Sequence, residues 1–156
     1  MTDFFLGREE TLAPANAAVA LITVGHGRYL MQLRDQKPGI FYPGHWGVFG
    51  GAIDMGETPE QALSRELQEE LGLATSLVRY FTAFTIDFSY AGLGPVERHY
   101  YEALIGDPDL ARLRLGEGRE MRVFSATELL SMPRVVPYDS LAIWMHVTRD
   151  SIRLSR

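Results

Sequence analysis

Glu66, Glu69 and Glu70 stand at i, i+3 and i+4 in a segment with helical periodicity. On a helical wheel, Glu69, Glu66 and Glu70 follow one another along a single arc that starts beside Ala62. Leu63, Leu67 and Leu71 continue round from Glu70, so one arc is apolar and the arc beside it carries carboxylates. Small Ala62 sits among the glutamates and leaves space in front of them. Like charges at this spacing destabilise a helix by a few tenths of a kcal/mol per pair, which calls for a cation or for hydration. A hard divalent cation would serve, since Mg²⁺ takes a few carboxylate oxygens together with phosphate and water. On three glutamates alone, a hydrated acidic face is the simpler reading.

The elements that must position these carboxylates are well punctuated. Thr58 suits an N-cap, Pro59 the first helical position, and Gln61 completes a Thr-x-x-Gln capping box. Gly72 fits the left-handed position after the helix, which is expected over about Pro59 to Leu71. Ahead of it, Ala17–Val24 reads as a buried strand, Gly25-His26-Gly27 as a turn and Tyr29–Leu33 as the hairpin partner. Gln36–Trp46 reads as a loop, and Trp46–Gly51 as a short strand ending in a tight backbone site. Beyond the helix, Ser76–Ala83, Thr85–Tyr90, Arg98–Leu104 and Met121–Phe124 read as strands. Ser125 can cap a helix through Ser131, and Tyr138–Arg149 reads as a terminal amphipathic helix. Strands on both sides of the central helix predict an α/β fold with a mixed sheet between helices. No linker divides the 156 residues, so one domain is expected, with residues 1–15, including Phe4, Phe5 and Leu6, a loosely assigned N-terminal extension.

The residues flanking the glutamates decide between the two readings. The segment 51–73 matches Gly-x5-Glu-x7-Arg-Glu-apolar-x-Glu-Glu-x-Gly-apolar at Gly51, Glu57, Arg65, Glu66, Leu67, Glu69, Glu70, Gly72 and Leu73. A chance match in a chain of this length is rarer than roughly one in a million. This pattern is the Nudix box, and the chain resembles a Nudix hydrolase of the MutT-like kind, more loosely over about residues 16–148. The resemblance implies a Nudix-type α/β/α sandwich. It implies that Glu66, Glu69 and Glu70 bind Mg²⁺ or Mn²⁺ bridging to a diphosphate. It makes Glu57 and Arg65 an ion pair that orients those ligands, as metal sites require. A backbone carbonyl at Gly50 or Gly51 would complete the coordination, glycine allowing close approach. The reaction implied is attack of water on phosphorus in a nucleoside diphosphate linked to another group.

Outside the box, relatives recruit another carboxylate from a loop after the central sheet, as ligand or general base. Glu117, set between glycines, is the first choice, and Glu120 the second. Arg34, ending the hairpin strand, resembles a phosphate- or base-contacting arginine. Phe49, beside the glycine pair, could line the cleft or pack in the core, and Tyr138 could stack on a base or cap the last helix. The asparagine that reads oxidised guanine in one branch of the family has no counterpart in Val136–Ser140, which weakens an 8-oxo-dGTP assignment.

Composition narrows the remaining choices. Cys 0 excludes disulfides, thiolate metal sites and cysteine nucleophiles, and argues against isopentenyl-diphosphate isomerase chemistry. Histidines share no cluster, and no P-loop, dinucleotide fingerprint or serine elbow appears. A net charge of −5 disfavours phosphate-backbone binding, and with it messenger-RNA decapping. The ligand expected is a small nucleoside diphosphate derivative, with no nucleic acid and no membrane, and a homodimer as an open option. No stretch is apolar enough to span a bilayer and the start lacks a signal-peptide pattern, so a cytoplasmic location is expected. The alternative is a non-catalytic Nudix-like domain that senses nucleotide metabolites.

Overall fold

A computed structural model of the chain describes residues 12–74 and 78–151. Phe4, Phe5, Leu6 and Ser76 lie outside the described residues. The sheet contains β1 (Ala17–Val24), β2 (Arg28–Leu33), β3 (Trp46–Gly47), β4 (Phe49–Ala52), β5 (Val78–Asp87), β6 (Pro95–Ile105) and β7 (Glu120–Ser125). Among the described residues four α-helices accompany it: α1 (Pro59–Leu71), α2 (Asp107–Leu110), α3 (Ala126–Ser131) and α4 (Pro137–Thr148).

β1 is apolar at seven of its eight positions because both of its edges and both of its faces are covered. β6 runs parallel to it along its whole length, and on its other edge two strands share the pairing. β2 pairs with Ile22, Thr23 and Val24, while β4 pairs with Ala17 through Ala20. The sheet therefore splits where β2 peels away from β1 and β4 takes its place. The sheet is mixed, with order β3-β2-β1-β6-β5, β7 lying outside on β2.

Alternation along β1 builds two layers of core. Ala18, Ala20, Ile22 and Val24 pack with Leu63, Leu67 and Leu71 of α1. Val19 and Leu21 pack on the opposite face with Leu129 of α3 and Ala142 and Ile143 of α4. The result is the expected α/β/α sandwich.

Helix α1 starts and stops where its local signals place it. Thr58 Oγ1 accepts from Gln61 N–H at 3.2 Å and Gln61 Oε1 accepts from Thr58 N–H at 2.9 Å. Gly72, at φ 64°, donates to Gln68 O at 3.0 Å, and Leu73 N–H reaches back to Leu67 O at 3.2 Å.

Three expectations change. The stretch Trp46–Gly51 is two strands, because Val48 N–H leaves the ladder to bond Asp139 at 3.1 Å and the chain switches from β2 to β1. The two strands expected over Ser76–Tyr90 are one, β5, which is held by a long antiparallel pairing with β6 and bends at an irregularity between Tyr80 and Thr82. Tyr90 belongs to a single 3₁₀ turn, Ser89–Ala91, that closes this hairpin.

Candidate active site

The cleft lies at the split in the sheet, where β4 and the C-terminal end of β2 face α1. It has a volume of about 360 Å³, and Arg34, Gly50, Gly51, Glu66, Glu70, Glu117 and Tyr138 all line it. The sequence spread these residues over more than a hundred positions; the fold gathers them.

Glu70 is 5% exposed, because on the helix it adjoins the apolar arc that faces the sheet. Its Oε2 accepts from Gly50 N–H at 2.8 Å and its Oε1 from Gln32 Nε2 at 3.4 Å. Burial pushes its carboxyl up to about 7, against the opposing pull of the Gly50 and Gln32 hydrogen bonds. Glu66 is raised as well, again chiefly by burial, and Glu66 and Glu117 add like-charge repulsion to Glu70. Ala62, expected to leave space before the carboxylates, is fully buried in the core beneath α1.

Arg65 organises the flank of the site. Its Nε and Nη2 grip Glu57 in a fork at 2.9 Å each, and its Nη1 donates to Glu66 at 2.7 Å. Nη2 also donates to Ala52 O at 3.0 Å, which ties α1 to the end of β4. The guanidinium holds the Glu57 carboxyl down at about 2. Glu69 lies outside the cleft lining, its side chain 59% exposed and 3.7 Å from Arg65.

The glycine pair is dictated by close approach. A Cβ at Gly50, whose φ is 120°, would come within 2.3 Å of Ala18 O, and one at Gly51 would come within 2.6 Å of the Glu66 carboxyl carbon. Arg34 Nε donates to Phe41 O at 2.9 Å, which folds the 36–46 loop against the cleft wall. Glu117 sits on a loop pinned at both ends: Gly116 N–H donates to Glu70 O at 2.7 Å and Arg119 N–H to Leu33 O at 2.9 Å. That tethering needs the flanking glycines, since a Cβ at Gly116 would lie 2.4 Å from Glu69 O and Gly118 has φ 84°.

Two candidates lie elsewhere. Phe49 does not line the cleft; its side chain is 0% exposed in the core beneath α1, since its pleat position points there. Glu120 begins β7 with its carboxylate on Arg122, at 2.6 Å from Nη2. Met121 and Val123 pack on the α1 side of the sheet, so alternation turns Glu120 to the other face.

Several residues of the site escaped the sequence reading. Gln32 is a buried amide that follows the apolar run Tyr29–Met31 of β2, the one signal that could have exposed it. Arg98 and Asp139 pair at 3.1 Å, and Lys37 joins the cleft wall just ahead of the loop stretch 38–46, whose Phe41 also lines it.

Among the described residues, no three carboxylates or histidines already converge as a metal-binding group. Arg65 holds Glu66, and Gly50 holds Glu70. The donor set nonetheless fits a hard cation: oxygen ligands only, partly buried, mutually repulsive, and backed by a glycine whose Cβ would fill the space beside Glu66.

The chain matches the family model described as NUDIX domain over residues 13–145. It is 44% identical over 54 residues to the nucleoside triphosphatase NudI of Enterobacter sp. (strain 638), covering 35% of this chain and 38% of that protein. With the nucleoside triphosphatase NudI of Escherichia coli (strain K12) it shares 46% over 46 residues, 30% of this chain and 32% of the relative. The matched stretch thus spans about a third of the length of these curated relatives. Among solved structures, a MutT NUDIX hydrolase from Burkholderia pseudomallei superposes with TM-score 0.68 at 24% identity, covering 85% of this chain and 97% of that one. A MutT protein from Methanosarcina mazei Go1 gives TM-score 0.71 at 18% identity over 89% and 96% of the two chains. The NUDIX domain of Shewanella oneidensis NrtR complexed with ADP ribose gives 0.67 at 20% identity over 90% of each. At these identities the structural likeness is one of fold.

Proposed function

The chain belongs to the NUDIX family, and on that premise we propose that it hydrolyses a diphosphate linkage in a nucleoside diphosphate joined to another group, with Mg²⁺ or Mn²⁺. The observation that carries this reading is that Glu66, Glu70 and Glu117 line one cleft together with Gly50 and Gly51. The NudI relatives, nucleoside triphosphatases by name, support a nucleotide substrate.

Hydrolases of this family generally need a divalent metal. When bound, the ion supplies charge neutralisation on the phosphates and lowers the pKa of an attacking water. Glu66 and Glu70 would hold it, joined by the exposed Glu69, with the backbone at Gly50 or Gly51 close enough to contribute. Arg65 and Glu57 keep Glu66 in place. Arg34 sets positive charge along the cleft wall, where the distal phosphate would lie, and Lys37 beside it is paired with Asp35 at 3.8 Å. Glu117 faces the cleft from the pinned loop and would take the proton from the attacking water, leaving a phosphomonoester and a second phosphorylated product.

All the contacts described belong to one sheet and its two covering layers, which supports a single Nudix domain. No helix among the described residues is long and apolar enough to cross a membrane, and a cytoplasmic place belongs to the same proposal.

The test is a hydrolysis screen across nucleoside triphosphates, nucleotide sugars, dinucleoside polyphosphates and dinucleotides such as NADH. Turnover should vanish with EDTA and return with Mg²⁺ or Mn²⁺. Undiminished turnover in metal-free protein would overturn the reading. Tight binding of a nucleotide without turnover of any compound would favour a sensing domain instead.

A further inference from the structure

The cleft continues into a smaller recess of about 100 Å³ whose walls are apolar and aromatic. Phe88, Ile86 and Val96 line the recess, and Phe41, Arg98 and Tyr138 line both spaces. Phe41 and Phe88 lie against each other with ring centroids 5.0 Å apart. A space of this size and character takes one flat ring system, not a whole nucleotide.

Asp139 has no capacity left for a ligand. Its Oδ1 accepts from Tyr100 Oη at 2.8 Å and from Arg98 Nη2 and Nε at 3.1 and 3.2 Å, and its Oδ2 from Val48 N–H at 3.1 Å. Arg98 keeps one group open. Nε and Nη2 are held by Asp139, and Nε also by Tyr100 Oη at 3.0 Å, while no described residue accepts from Nη1. The guanidinium lies 4.8 Å over the Tyr138 ring, so it is clamped on an edge and on a face. Such a group binds without first losing rotamer freedom.

We propose that Arg98 determines which base this protein accepts. Resting on the reading of the substrate as a nucleoside diphosphate derivative, the base enters the recess between Phe41 and Tyr138, and its carbonyl edge accepts from Arg98 Nη1. The diphosphate then extends along the shared cleft toward Glu66, Glu70 and Glu117. Arginine is a donor only. Guanine, cytosine, uracil and thymine each carry a carbonyl acceptor. Adenine carries none: its N1 and N7 are flanked by the exocyclic amine, a donor that would face another donor, and its N3 lies on the ribose edge, turned away from a base that enters the recess ring first. Nη1 reaches solvent in the free protein, and a base that covers it without accepting from it leaves a buried donor unpaired, a strong basis for rejecting a substrate.

The test compares kcat/KM for GTP, CTP, UTP and ATP at saturating Mg²⁺ in the parent and in Arg98→Lys, which keeps a charge for Asp139 but removes the planar fork. The parent should favour the three carbonyl bases over ATP by roughly tenfold or more, the scale of one hydrogen bond from a charged donor. Arg98→Lys should bring the ratios towards one. Should that variant not fold, Arg98→Met with Asp139→Asn removes both charges together and leaves neither buried alone. Titration calorimetry with GMP, CMP and AMP, without metal, reads the same choice without turnover. Equal treatment of all four triphosphates by the parent overturns the proposal. So does a uniform fall in all four rates with unchanged ratios, which is what a purely structural arginine would produce. Base-selective binding with no hydrolysis would instead support the base assignment and overturn the hydrolase reading.

Discussion

The carboxylate of Glu70 accepts a hydrogen bond from the backbone N–H of Gly50 at 2.8 Å. This contact joins the last turn of α1 to the first residues of β4 and fixes a buried acid beside a glycine that no other residue could replace without displacing Ala18. Glu70→Gln keeps an oxygen that can accept the same bond, so the fold should survive. The variant loses the negative charge that a cation needs, and turnover should fall by orders of magnitude at saturating Mg²⁺. Steady-state kinetics beside a thermal melt checks this; near-parental turnover would mean that α1 presents another face to the reaction.

Glu117 and Glu120 separate cleanly. Glu117 faces the carboxylates and Glu120 sits on Arg122 across the sheet. Glu117→Gln should lower kcat by about 10²- to 10⁴-fold, the range for a general base, with little change in KM. Glu120→Gln should leave kcat within about twofold. Equal rates for Glu117→Gln and the parent would place the base within the box.

Leu67 measures the helix as scaffold rather than as ligand carrier. Its side chain is 0% exposed between α1 and β1. Leu67→Ala should destabilise the domain by about 2–5 kcal/mol through lost burial and the cavity left behind. Denaturant unfolding of the metal-free protein reads this directly. A loss under about 1 kcal/mol would show that the layer collapses around the gap.

Acid stability should report on the Arg65–Glu57 fork. The folded Glu57 carboxyl is held at about 2, below its ordinary value near 4.5, so the folded state binds its proton less readily than the unfolded chain does. The fork's contribution is therefore complete above pH 4.5 and is lost as pH falls towards 2. Melting temperatures of the parent and Glu57→Gln should differ most near pH 6 and draw together between pH 4 and pH 3. A gap independent of pH over that range would assign the effect to packing.

Local signals determined much of this protein. β1 and α1 begin and end where hydrophobic run, capping box, proline and glycine place them, because those signals act between residues a few positions apart. The nine box positions are likewise confined to 23 residues, and they carried the family and its carboxylates. The same wheel that aligned three glutamates could not rank them. Only docking on the sheet decided that Glu70 is buried, Glu66 is held by Arg65 and Glu69 stands exposed. Phe49 and Glu120 went to their faces by the pleat of strands whose register is set by partners far along the chain. The Arg98–Asp139 pair bridges 41 positions and the Val48–Asp139 bond bridges 91. A contact between residues so distant leaves no period and no spacing in one chain to be read, and it exists only because β6, β4 and α4 meet at the split in the sheet.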